Sequence, residues 1–381
     1  MGSETTLKLP CIDFSNLDKH TNKFEWDSTK SQVHQALQEF GCFEATFRNI
    51  PPKLQTSMFE SLQLLFDLPL QTKLKNRSSK PFHGYVGQYP MVPLYESMGI
   101  EDAPVPEKTE SFTKTLWPDG NPKFCKTIQE FSEKLSKLDQ MVRMMVLESL
   151  GLEKYMDEHM DSTNYLLRVM KYKGPETNES KLGLNSHTDK NIVTILHQNQ
   201  VNGLEVQTKS GDWIKIQPSP NSFIVMIGDS LYAWTNGRLH SPYHRVMMSG
   251  EKARYSLGLF SIPKPGYVIK APTEIVDEKY PLLFKPFDHV EFLQFYYTED
   301  GQRAHKKEQR DLILDKAMDN SQLLLTLPAP DQEFTVIKEA AETSTPPPIH
   351  PTIAFVKEAL IAVIKLDSPA NALMGREPDR E

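Results

Sequence analysis

The stretch from Tyr165 to Phe260 does most to constrain the fold of this 381-residue chain. It consists of short apolar segments, several with period-two alternation, separated by turns rich in Gly, Pro, Asn and Asp. Short strands at such intervals are typical of an all-β sandwich or barrel. The pattern predicts strands over residues 166–172, 192–196, 204–207, 213–216, 223–227 and 255–260, with a hairpin turn at 209–212.

The chain before this stretch has mostly helical periodicity. Apolar residues recur at helical spacing from Val33 to Phe40, and Gly41 ends the pattern, after which residues 42–47 are expected to form a strand. A longer apolar stripe over residues 124–150 predicts a second helix. We therefore expect a mainly β fold supported by N-terminal helices.

The composition changes near residue 305. Residues 306–381 contain only two aromatic residues and one glycine, and a proline-rich linker lies at 341–351. We expect three parts: an N-terminal helical region at 1–150, a β core with a closing helix at 151–305, and a tail at 306–381 to which no function is assigned.

Charge and composition limit the partners. The net charge is −7 and the isoelectric point is about 5.9, which argues against nucleic acid or an acidic membrane face. No long apolar run and no signal sequence are visible, so a cytoplasmic location without membrane association is expected. The three cysteines predict neither a disulfide framework nor a zinc site. A small-molecule substrate and a monomeric state are the simplest expectations.

One group of residues carries metal chemistry. His187 and Asp189 lie two residues apart, so on an extended strand their side chains would share a face, while Thr188 would turn away. His244 would reach the same point from a strand that pairs with or faces the first. Two histidines and one carboxylate suit a non-haem Fe(II) oxygenase. A His-x-Asp triplet alone is common, however, and a zinc hydrolase could use the same three ligands.

A second group of residues narrows the class of enzyme to which the metal site can belong. Arg254 and Ser256 would share one strand face. A guanidinium beside a hydroxyl binds a carboxylate well, because the planar fork engages both oxygens. A buried arginine without such a ligand would be costly. A hydrolase offers no reason for this carboxylate receptor.

At these residues the chain resembles the plant Fe(II)- and 2-oxoglutarate-dependent dioxygenases. The resemblance runs from about residue 7 to residue 305, and within the family it is nearest to enzymes that act on glucosinolate side chains or steroidal alkaloids. The motifs are, in chain order, 9–14 (LPCIDF), 40–43 (FGCF), 187–189 (HTD), 203–206 (GLEV), 221–225 (NSFIV), 235–237 (TNG), 241–246 (SPYHRV) and 254–256 (RYS).

The resemblance implies a double-stranded β-helix, or jelly roll, with supporting N-terminal helices. It implies that the catalytic metal, Fe(II), is held by His187, Asp189 and His244. It also implies that 2-oxoglutarate is bound through Arg254, Ser256 and Tyr172, that O2 is the oxidant, and that ascorbate is the reductant. The family generally has asparagine where Met170 stands, so one contact to the cosubstrate is expected to be lost or replaced.

The implied reaction is hydroxylation, dealkylation or desaturation of a small hydrophobic specialised metabolite, such as a steroidal alkaloid. The family also places the walls of the substrate pocket at residues 82–95, Phe112, Trp117, Phe260, Phe292, Phe295 and Tyr296. Three alternatives remain open from the sequence: an ascorbate-dependent oxidase of the same fold, a metal-dependent hydrolase, and a binding module that has lost catalysis.

Overall fold

The computed structural model describes residues 7–177 and 179–298. The predicted tail at 306–381 and its linker lie outside the described residues. The α-helices are α1 Lys23–Glu39, α2 Pro52–Phe66, α3 Leu70–Lys73, α4 Pro106–Leu116, α5 Pro122–Ser149, α6 Met156–Asp161, α7 Asp229–Trp234 and α8 His289–Tyr296. Single 3₁₀ turns lie at Glu153–Tyr155 and Thr273–Ile275.

The strands are β1 Cys11–Asp13, β2 Cys42–Thr46, β3 Tyr95–Glu101, β4 Thr163–Tyr172, β5 Lys181–His187, β6 Val193–Gln198, β7 Leu204–Gln207, β8 Trp213–Lys215, β9 Ser222–Ile227, β10 His244–Met248, β11 Arg254–Pro263, β12 Val268–Ile269 and β13 Phe287–Asp288.

Two sheets form the β core. The large sheet has seven strands in the order β1-β2-β9-β6-β11-β4-β3, and the small sheet has four in the order β5-β10-β7-β8. Apolar side chains of both sheets meet between them, among them Leu196 and Met226 from the large sheet and Leu204 and Val206 from the small one. The two facing sheets confirm the expected jelly roll. The strands β12 and β13 form a separate pair.

The strands predicted from alternation are confirmed, and their bounds differ by a few residues. The hairpin turn at 209–212 joins the antiparallel strands β7 and β8. The strands β1, β3, β12 and β13 were not predicted, and β5 and β10 were expected only as the strands carrying His187 and His244, because these sequences are short or rich in polar residues and glycine. Within 7–150, expected to be mostly helical, β2 confirms the strand predicted at 42–47, and β1 and β3 form the two outer strands of the large sheet.

The large sheet has two chemically different faces because side chains alternate along each strand. One face of β4 and β11 contributes to the main apolar core: Leu167, Val169, Tyr255, Leu257 and Leu259. The other face carries Arg168, Met170, Tyr172, Arg254 and Ser256. The register pairs Arg254 with Tyr172 and Ser256 with Met170, so polar residues from two strands share one surface.

The helices cover the apolar face. The central helix α5 packs against α1, α2, α4, β6 and β11. It begins after Asn121, whose side-chain oxygen accepts a hydrogen bond from the Phe124 backbone N–H at 3.1 Å. Its buried stripe includes Phe131, Leu135, Leu138 and Val142. This stripe buries the outer face of the sheet and leaves the inner face for the site. No helix of the described part of the chain combines the length and apolar character needed to cross a membrane.

A buried polar network fixes α5 to the start of β4. Arg143 is 1% exposed and pairs with Asp139 at 3.2 Å. It also donates hydrogen bonds to the backbone carbonyl and Nδ1 of His159 and to the Thr163 hydroxyl. Tyr165 donates to the same Asp139 carboxylate at 2.8 Å. The network therefore sets the position of the strand that carries Met170 and Tyr172.

We predict that Arg143→Met lowers the free energy of unfolding by about 3–5 kcal/mol, because it leaves the Asp139 carboxylate buried without its cation. The control is Lys137→Met on the same helix, which removes an exposed ion pair to Glu133 and should cost about 0–1 kcal/mol. Urea denaturation of both variants measures the difference. Equal, small losses in the two variants would contradict the role given to Arg143.

Candidate metal and cosubstrate site

The two histidines of the candidate metal site are brought together by strand register. His244, the first residue of β10, pairs directly with His187, the last residue of β5. Their ring centroids lie 4.3 Å apart. The expectation that His244 would reach the site from a strand pairing with that of His187 is met by this geometry.

Asp189 reaches the same point by a different route from the one expected. The strand β5 ends at His187, so Asp189 lies in the following turn and does not share a strand face with His187. Its Oδ1 atom is 3.8 Å from Nε2 of each histidine. Its Oδ2 atom accepts a hydrogen bond from the Thr194 hydroxyl at 2.6 Å, which directs Oδ1 toward the imidazoles. The turn, rather than strand periodicity, therefore aims this carboxylate.

The three side chains offer donor atoms that lie within 4.8 Å of one another. Among the residues that the structure describes, they form the one such group of metal-ligating side chains. Nδ1 of His187 lies 2.8 Å from the Asn185 carbonyl, and Nδ1 of His244 lies 3.4 Å from the Pro242 carbonyl. Protons on both Nδ1 atoms leave the Nε2 lone pairs directed at the common point.

Protonation also favours a metal here. Burial, and next the neighbouring His244 imidazole, lower the pKa of His187 to about 3. The ring is therefore neutral at pH 7, as a metal ligand must be. Two imidazoles and one carboxylate, with the rest of the coordination shell left to other groups, are a donor set that fits non-haem Fe(II).

A second buried carboxylate, Asp229, supports the chain on both sides of the metal ligands. Its Oδ2 atom accepts hydrogen bonds from Thr188 at 2.9 Å and Lys190 at 2.8 Å, and its Oδ1 atom accepts one from Ser241 at 2.8 Å. The first two residues flank Asp189, and the third lies three residues before His244. The sequence analysis gave Asp229 no role; only the fold reveals that it joins two distant segments.

Arg254 forms the second part of the site. It is fully buried, and its Nη1 donates to the Ser256 hydroxyl at 3.1 Å. Its Nε and Nη2 donate to the Gln198 side-chain oxygen at 3.1 and 2.5 Å. The guanidinium carbon lies 5.1 Å from the centre of the Tyr172 ring. The predicted trio of Arg254, Ser256 and Tyr172 is thus assembled in one place, and Gln198 is a contact that the sequence did not reveal.

The charge of Arg254 is not balanced by a carboxylate in the described part of the chain. Among the described residues, no carboxylate forms an ion pair with it, and burial lowers its pKa. The side-chain nitrogen of Gln198 beside it is buried without a hydrogen-bond partner. An enclosed guanidinium and an unused amide donor are the features expected of a receptor for an anionic ligand.

Met170 lies between the two halves of the site, where the family has asparagine. Its sulfur accepts a hydrogen bond from the Tyr172 hydroxyl at 3.7 Å. Burial raises the pKa of Tyr172, so this hydroxyl is protonated and able to donate. A thioether is a weak acceptor and no donor, so Met170 does not offer the cosubstrate the hydrogen bond expected of asparagine.

A cavity opens onto the metal ligands. Of the expected wall residues, Phe82, Tyr95, Phe260 and Tyr296 line it, together with other residues that include Leu166, Leu184, Ile262, Leu293 and Tyr297. Phe112, Trp117, Phe292 and Phe295 do not; they belong to or pack against the main core, and Trp117 and Phe112 stack near Phe124. Aromatic residue type alone does not distinguish a side chain of the core from a side chain of the cavity wall.

Two polar wall residues, Arg168 and His289, were not expected from the sequence, whereas His83 lies within the expected segment 82–95. His83 pairs with Glu101 at 2.9 Å, and Nδ1 of His289 lies 3.1 Å from the Ser230 hydroxyl. Arg168 lies on β4 among the apolar wall residues. No local motif marks these positions, because each reaches the cavity through long-range packing.

Comparisons with known proteins agree with this geometry. The chain matches the 2OG-Fe(II) oxygenase superfamily over residues 160–263 and the N-terminal region described as non-haem dioxygenase in morphine synthesis over residues 9–120. It is 54% identical over 305 residues to an Arabidopsis thaliana protein named "Probable 2-oxoglutarate-dependent dioxygenase AOP1.2". That match covers 78% of this chain and 94% of the relative.

Solved structures show the same fold. The dioxygenase for auxin oxidation 1 from Arabidopsis thaliana, in complex with 2-oxoglutarate, is similar with a TM-score of 0.66 and 27% identity, covering 72% of this chain and 100% of that one. JOX2 in complex with 2OG, Fe and JA is similar with a TM-score of 0.64 and 26% identity, covering 75% and 84%.

The AOP1.2 relative, the two family models and these structures support the resemblance found in the sequence. A fold of two facing sheets and a His-Asp-His cluster beside an enclosed guanidinium is what such a family requires. The chain therefore belongs to the 2OG-Fe(II) oxygenase superfamily and is a dioxygenase that uses Fe(II) and 2-oxoglutarate.

Proposed function

We propose that His187, Asp189 and His244 hold the Fe(II), and that Arg254, Ser256 and Tyr172 bind the distal carboxylate of 2-oxoglutarate. The observation that carries this assignment is the buried Arg254 guanidinium, which has no carboxylate partner among the described residues. A dicarboxylate cosubstrate supplies that partner. A metal-dependent hydrolase, or a binding module that has lost catalysis, would not explain why this charge is buried.

When bound, Fe(II) supplies the activation of O2 that organic side chains cannot provide. Each turnover consumes one 2-oxoglutarate, one O2 and one substrate C–H bond, and yields succinate, CO2 and a C–OH group. One oxygen atom of O2 enters succinate and the other enters the product. Dealkylation follows when the new hydroxyl lies on a carbon attached to a heteroatom.

The protein's own contribution is position and enclosure. Two hydrogen bonds from Arg254 to Gln198 fix the guanidinium before the cosubstrate binds. The Thr194 hydroxyl fixes the Asp189 carboxylate. The mostly apolar cavity wall excludes water and accepts the carbon skeleton of a specialised metabolite. We also propose that ascorbate serves as reductant and that the enzyme acts as a cytoplasmic monomer without nucleic-acid or membrane partners.

We predict that Asp189→Ala weakens Fe(II) affinity by at least about 100-fold and abolishes succinate formation, because loss of a direct ligand costs at least as much as loss of a supporting contact. The control is Asp212→Ala, which removes an exposed carboxylate in the β7–β8 turn. Fe(II) binding is measured by equilibrium dialysis. Turnover is measured as succinate released and as mass shifts in a plant metabolite extract supplied with iron, ascorbate and 2-oxoglutarate.

The assignment of the metal ligands fails if Asp189→Ala binds Fe(II) as tightly as the Asp212→Ala control. It fails equally if the variant keeps the full rate of 2-oxoglutarate-dependent conversion in the extract.

Arg254 gives a prediction in which stability and binding move in opposite directions. Arg254→Met should raise the KM for 2-oxoglutarate about 10- to 100-fold, because it removes a charge-assisted hydrogen-bond pair. The free energy of unfolding without cosubstrate should be unchanged or higher, because a buried, unpaired charge is removed.

The matched control is Arg245→Met. Arg245 already has a carboxylate partner, Glu205 at 2.8 Å, so its loss should lower stability and leave the KM for 2-oxoglutarate unchanged. Steady-state kinetics and urea denaturation distinguish the two patterns. A destabilised Arg254→Met enzyme with a normal KM would show that Arg254 has a structural role instead.

We propose that residues 1–150 and 151–305 act as one catalytic unit and that residues 306–381 are an appendage. The 305-residue match to the AOP1.2 relative covers nearly all of that protein but 78% of this chain, which supports the division. Deleting residues 306–381 should leave kcat within about twofold of the full chain, because the described site is built from residues before 298. A collapse of turnover in a deletion variant that still unfolds cooperatively would overturn it.

A further inference from the structure

Arg168 lies in the wall of the substrate cavity, between two glycines of the neighbouring strands. In the register, Arg168 of β4 is flanked by Gly99 on β3 and by Gly258 on β11. Neither neighbour has a side chain to cover it. Added Cβ atoms at these glycines would come within 2.4 Å of the His83 carbonyl oxygen and 2.8 Å of the Phe260 ring. The glycines thus let the cavity walls approach the arginine from both sides.

The contacts of Arg168 orient its side chain without neutralising it. Its Nη2 donates to the Tyr95 hydroxyl at 2.9 Å and to the Ser97 hydroxyl at 2.6 Å. The Phe82 ring lies 4.9 Å from the guanidinium carbon. Its Nε is buried and has no hydrogen-bond partner. Among the described residues, no carboxylate forms an ion pair with Arg168.

The other basic residues of the cavity wall are neutral or paired. Lys190 forms an ion pair with Asp229 at 2.8 Å, and His83 pairs with Glu101. Burial lowers the pKa of His289 to about 4, so this side chain is neutral at pH 7. Arg168 is therefore the uncompensated positive charge in the described wall of a mostly apolar cavity.

Arg168 and Arg254 share one face of the large sheet but occupy different places on it. Arg254 pairs in register with Tyr172, which is four residues from Arg168 along β4. At about 3.4 Å per residue, the backbone positions of Arg168 and Tyr172 are about 14 Å apart. The distal carboxylate of 2-oxoglutarate is already assigned to Arg254, so the charge of Arg168 is left for another ligand.

We propose that the primary substrate is an acid and that Arg168 binds its oxyanion group while its hydrocarbon part fills the apolar cavity toward the metal. This inference rests on the proposed function and names the substrate class for the same site. The Tyr95 and Ser97 hydroxyls hold Nη2 in place, and the buried Nε–H remains as a donor to an oxygen of the anion. The same charge disfavours a protonated amine, so basic alkaloids are poor candidates.

The first test uses the wild-type enzyme. A plant leaf extract is separated by ion exchange into acidic, neutral and basic pools, and each is incubated with enzyme, iron, ascorbate and 2-oxoglutarate. We expect oxidised product masses and succinate above the substrate-free rate in the acidic pool. Conversion confined to the neutral or basic pool would overturn the acid proposal and leave the dioxygenase assignment intact. Absence of 2-oxoglutarate turnover in every pool would overturn both.

The second test uses Arg168→Gln with the substrate found in the acidic pool. We expect the KM for that substrate to rise about 10- to 100-fold, and its neutral methyl ester to bind wild type and variant alike. Arg238→Gln is the matched control. Arg238 also has a buried nitrogen without a partner, but it does not line the cavity, so its KM values should be those of wild type.

Arg168→Lys is the second variant. It keeps the positive charge, so it can be tested even if Arg168→Gln fails to fold. It should retain preference for the acid over its ester with a smaller loss. A rise in the KM for 2-oxoglutarate instead of the substrate would assign Arg168 to the cosubstrate. Equal losses for acid and ester would make it structural. Either outcome overturns the proposal.

Discussion

Side-chain alternation on β4 and β11 is the constraint on which the site depends. One set of positions supplies apolar residues that α5 and its neighbours cover. The intervening positions carry Tyr172, Arg254 and Ser256, and the ten-residue antiparallel register holds these in line. A shift of one residue in this register would exchange the two faces, burying the polar set under the helices. The apolar core therefore also fixes which way the cosubstrate-binding residues point.

The metal ligands depend on a second, more local device. His187 and His244 meet because they are register partners at the end of the small sheet. Asp189 lies beyond the strand, and its position depends on Thr194 and on the buried Asp229 carboxylate beneath the turn. Asp229 accepts from residues on both sides of the site, so one side chain fixes two segments more than 50 residues apart in sequence, at Thr188 and Ser241. Catalytic geometry of this kind requires a rigid supporting layer.

Much of this arrangement could be predicted from the sequence, and the failures have physical causes. Alternation identified most core strands, and the residue types of His187, Asp189, His244, Arg254 and Ser256 identified the chemistry. Periodicity wrongly placed Asp189 on a strand face, because the end of β5 is determined by tertiary pairing with β10. Aromatic character could not separate wall residues such as Phe260 from core residues such as Phe292. Gln198 and Arg168 escaped notice because isolated polar residues in strands carry no local signal.

The cavity combines an apolar wall with Arg168, and two of the proposed metal ligands, His187 and Asp189, line it. The most direct measurement of the central claim is O2 uptake by the iron-loaded enzyme with a converted substrate, recorded together with succinate. We predict that O2 uptake requires 2-oxoglutarate and that one succinate forms for each O2 consumed. Uptake sustained by ascorbate alone would indicate an oxidase, and product formed without O2 would indicate a hydrolase. Either result would contradict the conclusion that the enzyme is a 2-oxoglutarate-dependent dioxygenase.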